Sequence, residues 1–214
     1  MIISSGRSYV FVHAPKTGGT SLAYALETRA RGDDILIGDT PKAKKRRHRL
    51  NGAVAAGRVW KHSSLADVEG IISLDDIRAS FCFTMVRNPW DRMVSYYQWL
   101  QTQRFEHVAV GLAKQLNFAE FLRAPQIVSA FQSGPYSSYM TCSDGVDQAD
   151  LYIRLEHFDQ DAEPLWSHLG FVLDLPHLNQ SNRKKDYRSY FSDSDAECLA
   201  RMCSKDIEQF SYTF

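Results

Sequence analysis

The stretch that most constrains this chain lies near its start. Tyr9-Val10-Phe11-Val12-His13-Ala14 is short, almost continuous in apolar residues, and stopped by Pro15. A run without polar alternation reads as a strand covered on both faces, which is the situation of a parallel strand inside an α/β sheet. Lys16-Thr17-Gly18-Gly19-Thr20-Ser21 follows at once, and then Leu22, Ala25 and Leu26 recur at helical spacing. The order strand, glycine turn, helix opens an α/β unit and predicts a central parallel sheet with helices packed on it.

The rest of the chain repeats that alternation. Ser80-Phe81-Cys82-Phe83-Thr84-Met85-Val86 reads as a second buried strand and Leu151-Tyr152-Ile153-Arg154-Leu155 as a third. Val59-Trp60-Lys61 reads as a short strand with His62 at its end. Asn88 is pushed away from the α region by Pro89, and Pro89 suits the first turn of a helix running through Trp90 to about Gln101. Asn117 is placed to cap a helix over 118–123. Further helices are expected over about 64–70, 74–78, 158–169 and 195–209, the last with Ser194 and Glu197 as a capping box. From Gly32 to Gly57 the periodicity is lost. That stretch carries Lys42, Lys44, Lys45, Arg46, Arg47, His48 and Arg49. It reads either as a flexible, solvated basic insertion in a single domain spanning 1–214, or as the edge of an anionic acceptor site or a lid over a nucleotide.

Composition enters where it excludes partners. The 214 residues carry 25 basic and 25 acidic side chains, so no global field draws the chain to nucleic acid, and any anion site must be local. No window approaches the roughly 20 apolar residues of a membrane span, and the N-terminal residues lack the pattern of a secretory leader. Cys82, Cys142, Cys198 and Cys203 make no C-x-x-C pair and no zinc spacing. The expectation is a cytoplasmic protein with reduced thiols and no metal site.

Two segments carry chemistry. In Pro15-Lys16-Thr17-Gly18-Gly19-Thr20-Ser21 a strand meets a helix start. Unpaired first-turn N–H groups and the helix dipole favour an anion there. Gly18 and Gly19 allow close backbone approach, Lys16 adds a charge, and the hydroxyls add donors. The order is not that of the Walker A loop, in which the lysine follows the last glycine. In Arg87-Asn88-Pro89-Trp90-Asp91-Arg92-Met93-Val94-Ser95-Tyr96-Tyr97, Arg87 stands at a strand end, where α/β sheets bind ligands. Arg92, Ser95 and Tyr96 share a helical face, and Asp91 with Arg92 reads as a local surface ion pair. Arg87 and Ser95 are together candidates for a second, separate phosphate.

These two segments, in this order and at the ends of two strands, resemble the paired signature of PAPS-dependent sulfotransferases (PAPS is 3′-phosphoadenosine 5′-phosphosulfate). The closest resemblance is to the family 2 branch, which includes carbohydrate sulfotransferases. It extends weakly to Lys61-His62-Ser63-Ser64, to Tyr152-Ile153-Arg154-Leu155-Glu156 and to Asn179-Gln180-Ser181-Asn182. The resemblance implies a P-loop-like, three-layer α/β domain. It implies that Pro15 to Ser21 bind the 5′-phosphosulfate, with Lys16 at the leaving oxygen, and that Arg87 and Ser95 bind the 3′-phosphate. It also implies that Arg183 and Lys184, with Lys185 and Tyr187 nearby, close over the nucleotide, that PAP is the product, and that no metal takes part.

Sulfuryl transfer is an in-line displacement, so catalysis is positioning plus stabilisation of charge on the leaving oxygen. The acceptor, a glycan or small-molecule hydroxyl or amine, must lose a proton. His62 is the candidate base because imidazole titrates near neutrality; it also reads as a hydrogen-bonded structural histidine. Glu27 and Glu156 are fallback bases, and His13 is expected to pack under the loop. Acceptor pockets are expected in variable loops, within 32–57 and 103–139. Two other classes stay open at this level: a P-loop kinase, disfavoured by the lysine position, and a non-catalytic module that binds PAPS or PAP.

Overall fold

The computed structural model describes residues 1–176, 184 and 186–214. Five strands are present among them: β1 (Ile2–Ser4), β2 (Tyr9–Val12), β3 (Ile35–Leu36), β4 (Phe81–Val86) and β5 (Leu151–Arg154). The helices before β4 are α1 (Gly19–Thr28), α2 (Pro41–Arg46), α3 (Leu65–Val68) and α4 (Leu74–Arg78). Between β4 and β5 lie α5 (Pro89–Gln101), α6 (Val108–Gln115), α7 (Phe118–Arg123), α8 (Pro125–Ser133) and α9 (Ser137–Met140). After β5 come α10 (Phe158–Asp161), α11 (Glu163–Leu169), α12 (Asp193–Met202) and α13 (Ser204–Phe210). The chain divides into two compact units, Met1–Val86 with Tyr136–Leu178 and Arg87–Pro135 with Asn179–Phe214.

The first unit holds the whole sheet, in the order β3-β1-β2-β4-β5. The three strands read from the sequence form its parallel part. Val12 stands opposite Thr84, and Thr84 opposite Tyr152. Their carboxyl ends therefore share one edge, the edge where open α/β sheets place ligands. β1 and β3 extend the sheet on the antiparallel side, with Ile2 paired to both Phe11 and Leu36. The sheet is thus mixed rather than wholly parallel; β1 and β3, of three and two residues, are too short to show a period.

Alternation along the strands builds three layers, since successive side chains point to opposite faces. Phe11, Phe83 and Ile153 pack with Leu22 and Leu26 of α1 and Leu165 of α11. Val10, Val12 and Cys82 pack with Leu65, Val68, Ile77 and Met140 on the other face. Phe11 and Phe83 stack at 5.3 Å between centroids. Burying each such side chain contributes about 1.5–3 kcal/mol.

The second unit is helical. Its core joins Met93, Val94 and Tyr97 of α5 to Phe121 and Leu122 of α7 and Leu199 of α12. Residues 103–139, expected as a variable loop, form α6 to α9, with Asn117 capping α7 through Glu120 N as anticipated.

Several local expectations are corrected. Residues 58–61 form no strand; Trp60, Lys61 and His62 sit in a turn and bend. The box that opens α12 is Ser192 with Asp195, two residues before the expected pair. The helix expected over 158–169 breaks into α10 and α11 at Ala162, before Glu163-Pro164. The stretch 32–57 is not featureless. Thr40 caps α2 through Ala43 N with Pro41 at the first turn, and Thr40 is itself held by both carboxylate oxygens of Glu27 at 2.7 and 2.8 Å.

Candidate active site

The Pro15–Ser21 loop leaves the end of β2 as the sequence predicts. Lys16 adopts φ 67° and Gly18 φ 83°. A left-handed residue with a side chain is strained by about 1–3 kcal/mol, and such residues turn backbone N–H groups toward a concavity that suits anions. Thr17 is fully buried, and its hydroxyl donates to Ala14 O at 2.9 Å. Thr17 is therefore a structural pin of the loop, not the exposed donor the sequence suggests. Gly18 is the N-cap of α1, with no side-chain cap, so the helix opens onto its own backbone donors.

The two glycines are required for different reasons. A Cβ on Gly18 would lie 2.9 Å from Leu155 Cδ1, and positive φ already disfavours any L side chain. A Cβ on Gly19 would fall 2.4 Å from His13 Cδ2. His13, one residue past β2, packs under the loop with its ring against Gly19. Burial, followed by the proximity of His62, pushes its pKa well below the usual histidine value, and so keeps the ring neutral.

His62 reaches the same place from 49 residues away in sequence. Its Nδ1 lies 2.7 Å from His13 O, and the two rings meet edge to face at 4.7 Å. A carbonyl oxygen only accepts, so Nδ1 carries the hydrogen and Nε2 is the basic nitrogen of the neutral ring. Trp60 meets the His62 ring edge to face at 5.0 Å, and Arg58 lies 4.6 Å over the Trp60 ring. Buried Ser63 holds this turn: its hydroxyl accepts from Trp60 N at 2.9 Å and faces Arg58 O at 2.7 Å. Ser64 then caps α3 in a box with Asp67. Sequence reasoning found His62 but missed Arg58, Trp60 and Ser63. Their signal, a serine followed by a second serine that caps, is local and weak.

The two fallback bases are placed differently. Glu27 lies in the last turn of α1, about 12 Å along the helix from Gly19, and is engaged by Thr40. Glu156 is exposed.

Arg87 and Ser95 belong to the second unit. Arg87 Nε and Nη2 donate to Asp91 Oδ2 at 2.8 and 2.6 Å, so Asp91 pairs with Arg87 rather than with Arg92. The i,i+4 spacing favours that partner once the helix begins at Pro89. Asn88 caps α5, accepting from Trp90 N at 3.1 Å, and Trp90 Nε1 donates to Ala196 O at 3.0 Å. Arg92 and Ser95 are buried, with the Arg92 guanidinium 5.3 Å over Phe131. Lys184 is exposed. Arg183, Lys185 and the segment Asn179 to Asn182 lie outside the described residues.

Among the described residues no group of three or more His, Cys, Asp or Glu is arranged to hold a metal. No described helix is long and apolar enough to cross a membrane.

Comparison with known proteins bears on the family and the fold. A family model described as the sulfotransferase family matches residues 1–213. No curated protein matches the sequence. Among solved structures, mouse sulfotransferase SULT7A1 complexed with PAP superposes with a TM-score of 0.54 at 16% identity, over 96% of this chain and 85% of that one. At that identity the likeness shows the shared α/β fold.

Proposed function

The chain belongs to the sulfotransferase family, and on that footing we propose that Pro15–Ser21 holds the 5′-phosphosulfate of its donor and that His62 is the general base. The activity is a PAPS-dependent sulfuryl transfer. The observation that carries the residue assignment is the chain of contacts from Gly19 through His13 to His62, which sets a basic nitrogen beside a loop built to take an anion. The loop fits a phosphosulfate. Its helix start has no side-chain cap, which leaves first-turn N–H groups for the anion, and a side chain on Gly18 or Gly19 would collide with Leu155 or His13 and displace that backbone.

In the reaction the acceptor oxygen attacks sulfur in line, the bond from sulfur to the 5′-phosphate oxygen breaks, and an O–S bond forms on the acceptor. The acceptor proton passes to His62 Nε2. Lys16 and the first-turn N–H groups stabilise the negative charge left on the phosphate of PAP. Removing one such donor typically costs about 10²–10³ in rate. Arg87 and Ser95 are proposed, on the resemblance of their motif, as ligands of the 3′-phosphate; the Asp91 pair fixes the Arg87 guanidinium for that task. Lys184 is proposed for the same nucleotide on weaker resemblance. The family match over residues 1–213 supports reading the chain as one sulfotransferase domain. Its four free cysteines, three of them buried, suit a reducing, cytoplasmic compartment.

Saturating PAP is expected to raise the melting temperature by about 5–10 °C, as binding at a hundred times Kd contributes about 2.7 kcal/mol. Scanning fluorimetry against ADP and ATP with magnesium tests this. Equal stabilisation by ADP would count against a site that recognises the 3′-phosphate. A chain that binds PAP yet transfers nothing, and tolerates loss of His62, would be a binding module.

A further inference from the structure

Within the first unit, a cavity of about 450 Å³ lies against the turn that carries His62. That volume is within the range of small-molecule sites. Its wall mixes polar and apolar surface in about equal parts, the apolar part coming from Leu36, Ile37, Leu50, Val59, Ile71 and Trp60. Trp60 and Val59 are 39% and 38% exposed, large apolar surfaces for so polar a stretch. Trp60 is shared: one side lines the cavity and its ring touches His62. His62 in turn bonds His13 under the donor loop. His62 is not itself a lining residue; it joins Trp60 of the cavity wall to His13 under the loop.

The charges of the cavity are unbalanced. Arg47, Arg58 and Lys61 line it against one carboxylate, Asp39. Asp39 is paired to Lys61 at 3.0 Å, and that ammonium holds its carboxyl below the usual range. Arg47 and Arg58 have no ion pair within 4.0 Å among the described residues. The lining contains no Asn, Gln, Ser, Thr or Glu. Sugars need several paired donors and acceptors when their hydroxyls are desolvated, and the one side-chain acceptor in this lining, Asp39, is already paired to Lys61. The walls offer instead aliphatic contacts, the Trp60 ring with Arg58 over it, and two guanidinium groups outside any ion pair within 4.0 Å among the described residues.

We propose that this cavity is the acceptor site and takes a hydroxylated molecule with an apolar body and an anionic end, an aryl or alkyl alcohol that also bears a carboxylate or similar group. The apolar body lies on Trp60, the anion meets Arg58 and Arg47, and the hydroxyl is turned toward His62. The assignment rests on His62 as base and on the donor loop, and it narrows the acceptor from any hydroxyl to this class.

The test uses the full chain with labelled PAPS and five probes: para-hydroxyphenylacetate, para-hydroxyphenylpropionate, their two methyl esters, and a uronate-containing oligosaccharide. The acids are expected to show kcat/KM at least about tenfold above their esters and above the oligosaccharide. Arg58→Gln should erase that ratio while leaving the PAP-induced thermal shift in place. Direct binding gives a readout independent of transfer, because the acids should quench a fluorescence component that Trp60→Phe removes. Esters equal to acids, a preference for the oligosaccharide, a ratio that survives Arg58→Gln combined with Arg47→Gln, or no Trp60-dependent quenching would each overturn the proposal. Failure of PAP to stabilise the wild-type chain would instead count against the donor loop, and the quenching measurement would still decide the cavity.

Discussion

The donor loop and the segment from Ile35 to Ser63 flank the same histidine pair but are held in place differently. Pro15–Ser21 has a local frame, made of two left-handed positions, the Thr17 hydroxyl on Ala14 O and a helix that starts on glycine, with Leu155 packed against Gly18. The later segment is fixed from a distance. Glu27 holds Thr40, Asp39 holds Lys61, and His13 O holds His62. A site that must present fixed backbone dipoles to a leaving group gains from local rigidity. An acceptor wall assembled from long-range contacts is easier to reshape without disturbing that chemistry.

The largest test of the comparison acts where the two regions meet. His62→Ala is expected to lower kcat by about 10²–10⁴, the usual contribution of a positioned base, with the PAP thermal shift preserved. Steady-state rates at saturating PAPS check this, and an unchanged kcat would remove His62 from the mechanism.

A smaller effect separates the regions by stability. Gly19→Ala drives a methyl into the His13 ring and should cost about 1–3 kcal/mol, together with most of the PAP-induced shift. Thr40→Val leaves the Glu27 carboxylate without its hydroxyl partner and should cost a similar amount, about 1–3 kcal/mol. Its functional effect should fall on acceptor KM and leave the PAP shift in place. Urea unfolding with and without PAP reads both; loss of the PAP shift in Thr40→Val would show that the two regions are not separable.

The smallest effect is in pH. His13 has its pKa lowered in the folded chain, so the unfolded chain binds the extra proton first. Stability from this residue is fully present above about pH 6.5 and is lost as pH falls below it, by at most about 1.4 kcal/mol per pH unit. Melting temperatures between pH 7 and 5 should fall less steeply in His13→Gln than in the wild type. Equal slopes would mean that His13 does not titrate in this way.

Legibility in the sequence followed the range of the interactions. β2, β4, β5, α5 and α7 were readable because an apolar run, an Asn-Pro start or an Asn cap is written within a few adjacent residues. β1 and β3 were not, because a strand of two or three residues carries no period. The Arg87–Asp91 pair was missed because Arg92 stands nearer in sequence, and only the helix start at Pro89 puts Arg87 and Asp91 one turn apart. α2 was hidden by the basic residues that surround its Thr40-Pro41 start, although that start is itself a helix signal.

The sequence by itself determined the form of the Pro15–Ser21 loop: a strand, a lysine ahead of two glycines and a helix give a left-handed turn onto a helix start with no side-chain cap, because that geometry is local. Only the tertiary structure decided the surroundings of His62. It brought His62 across 49 residues onto His13 O, turned Trp60 from a supposed strand residue into a cavity wall, and left two arginines facing that cavity. Those placements depend on which buried polar groups find partners across the fold, and chain order alone does not specify them.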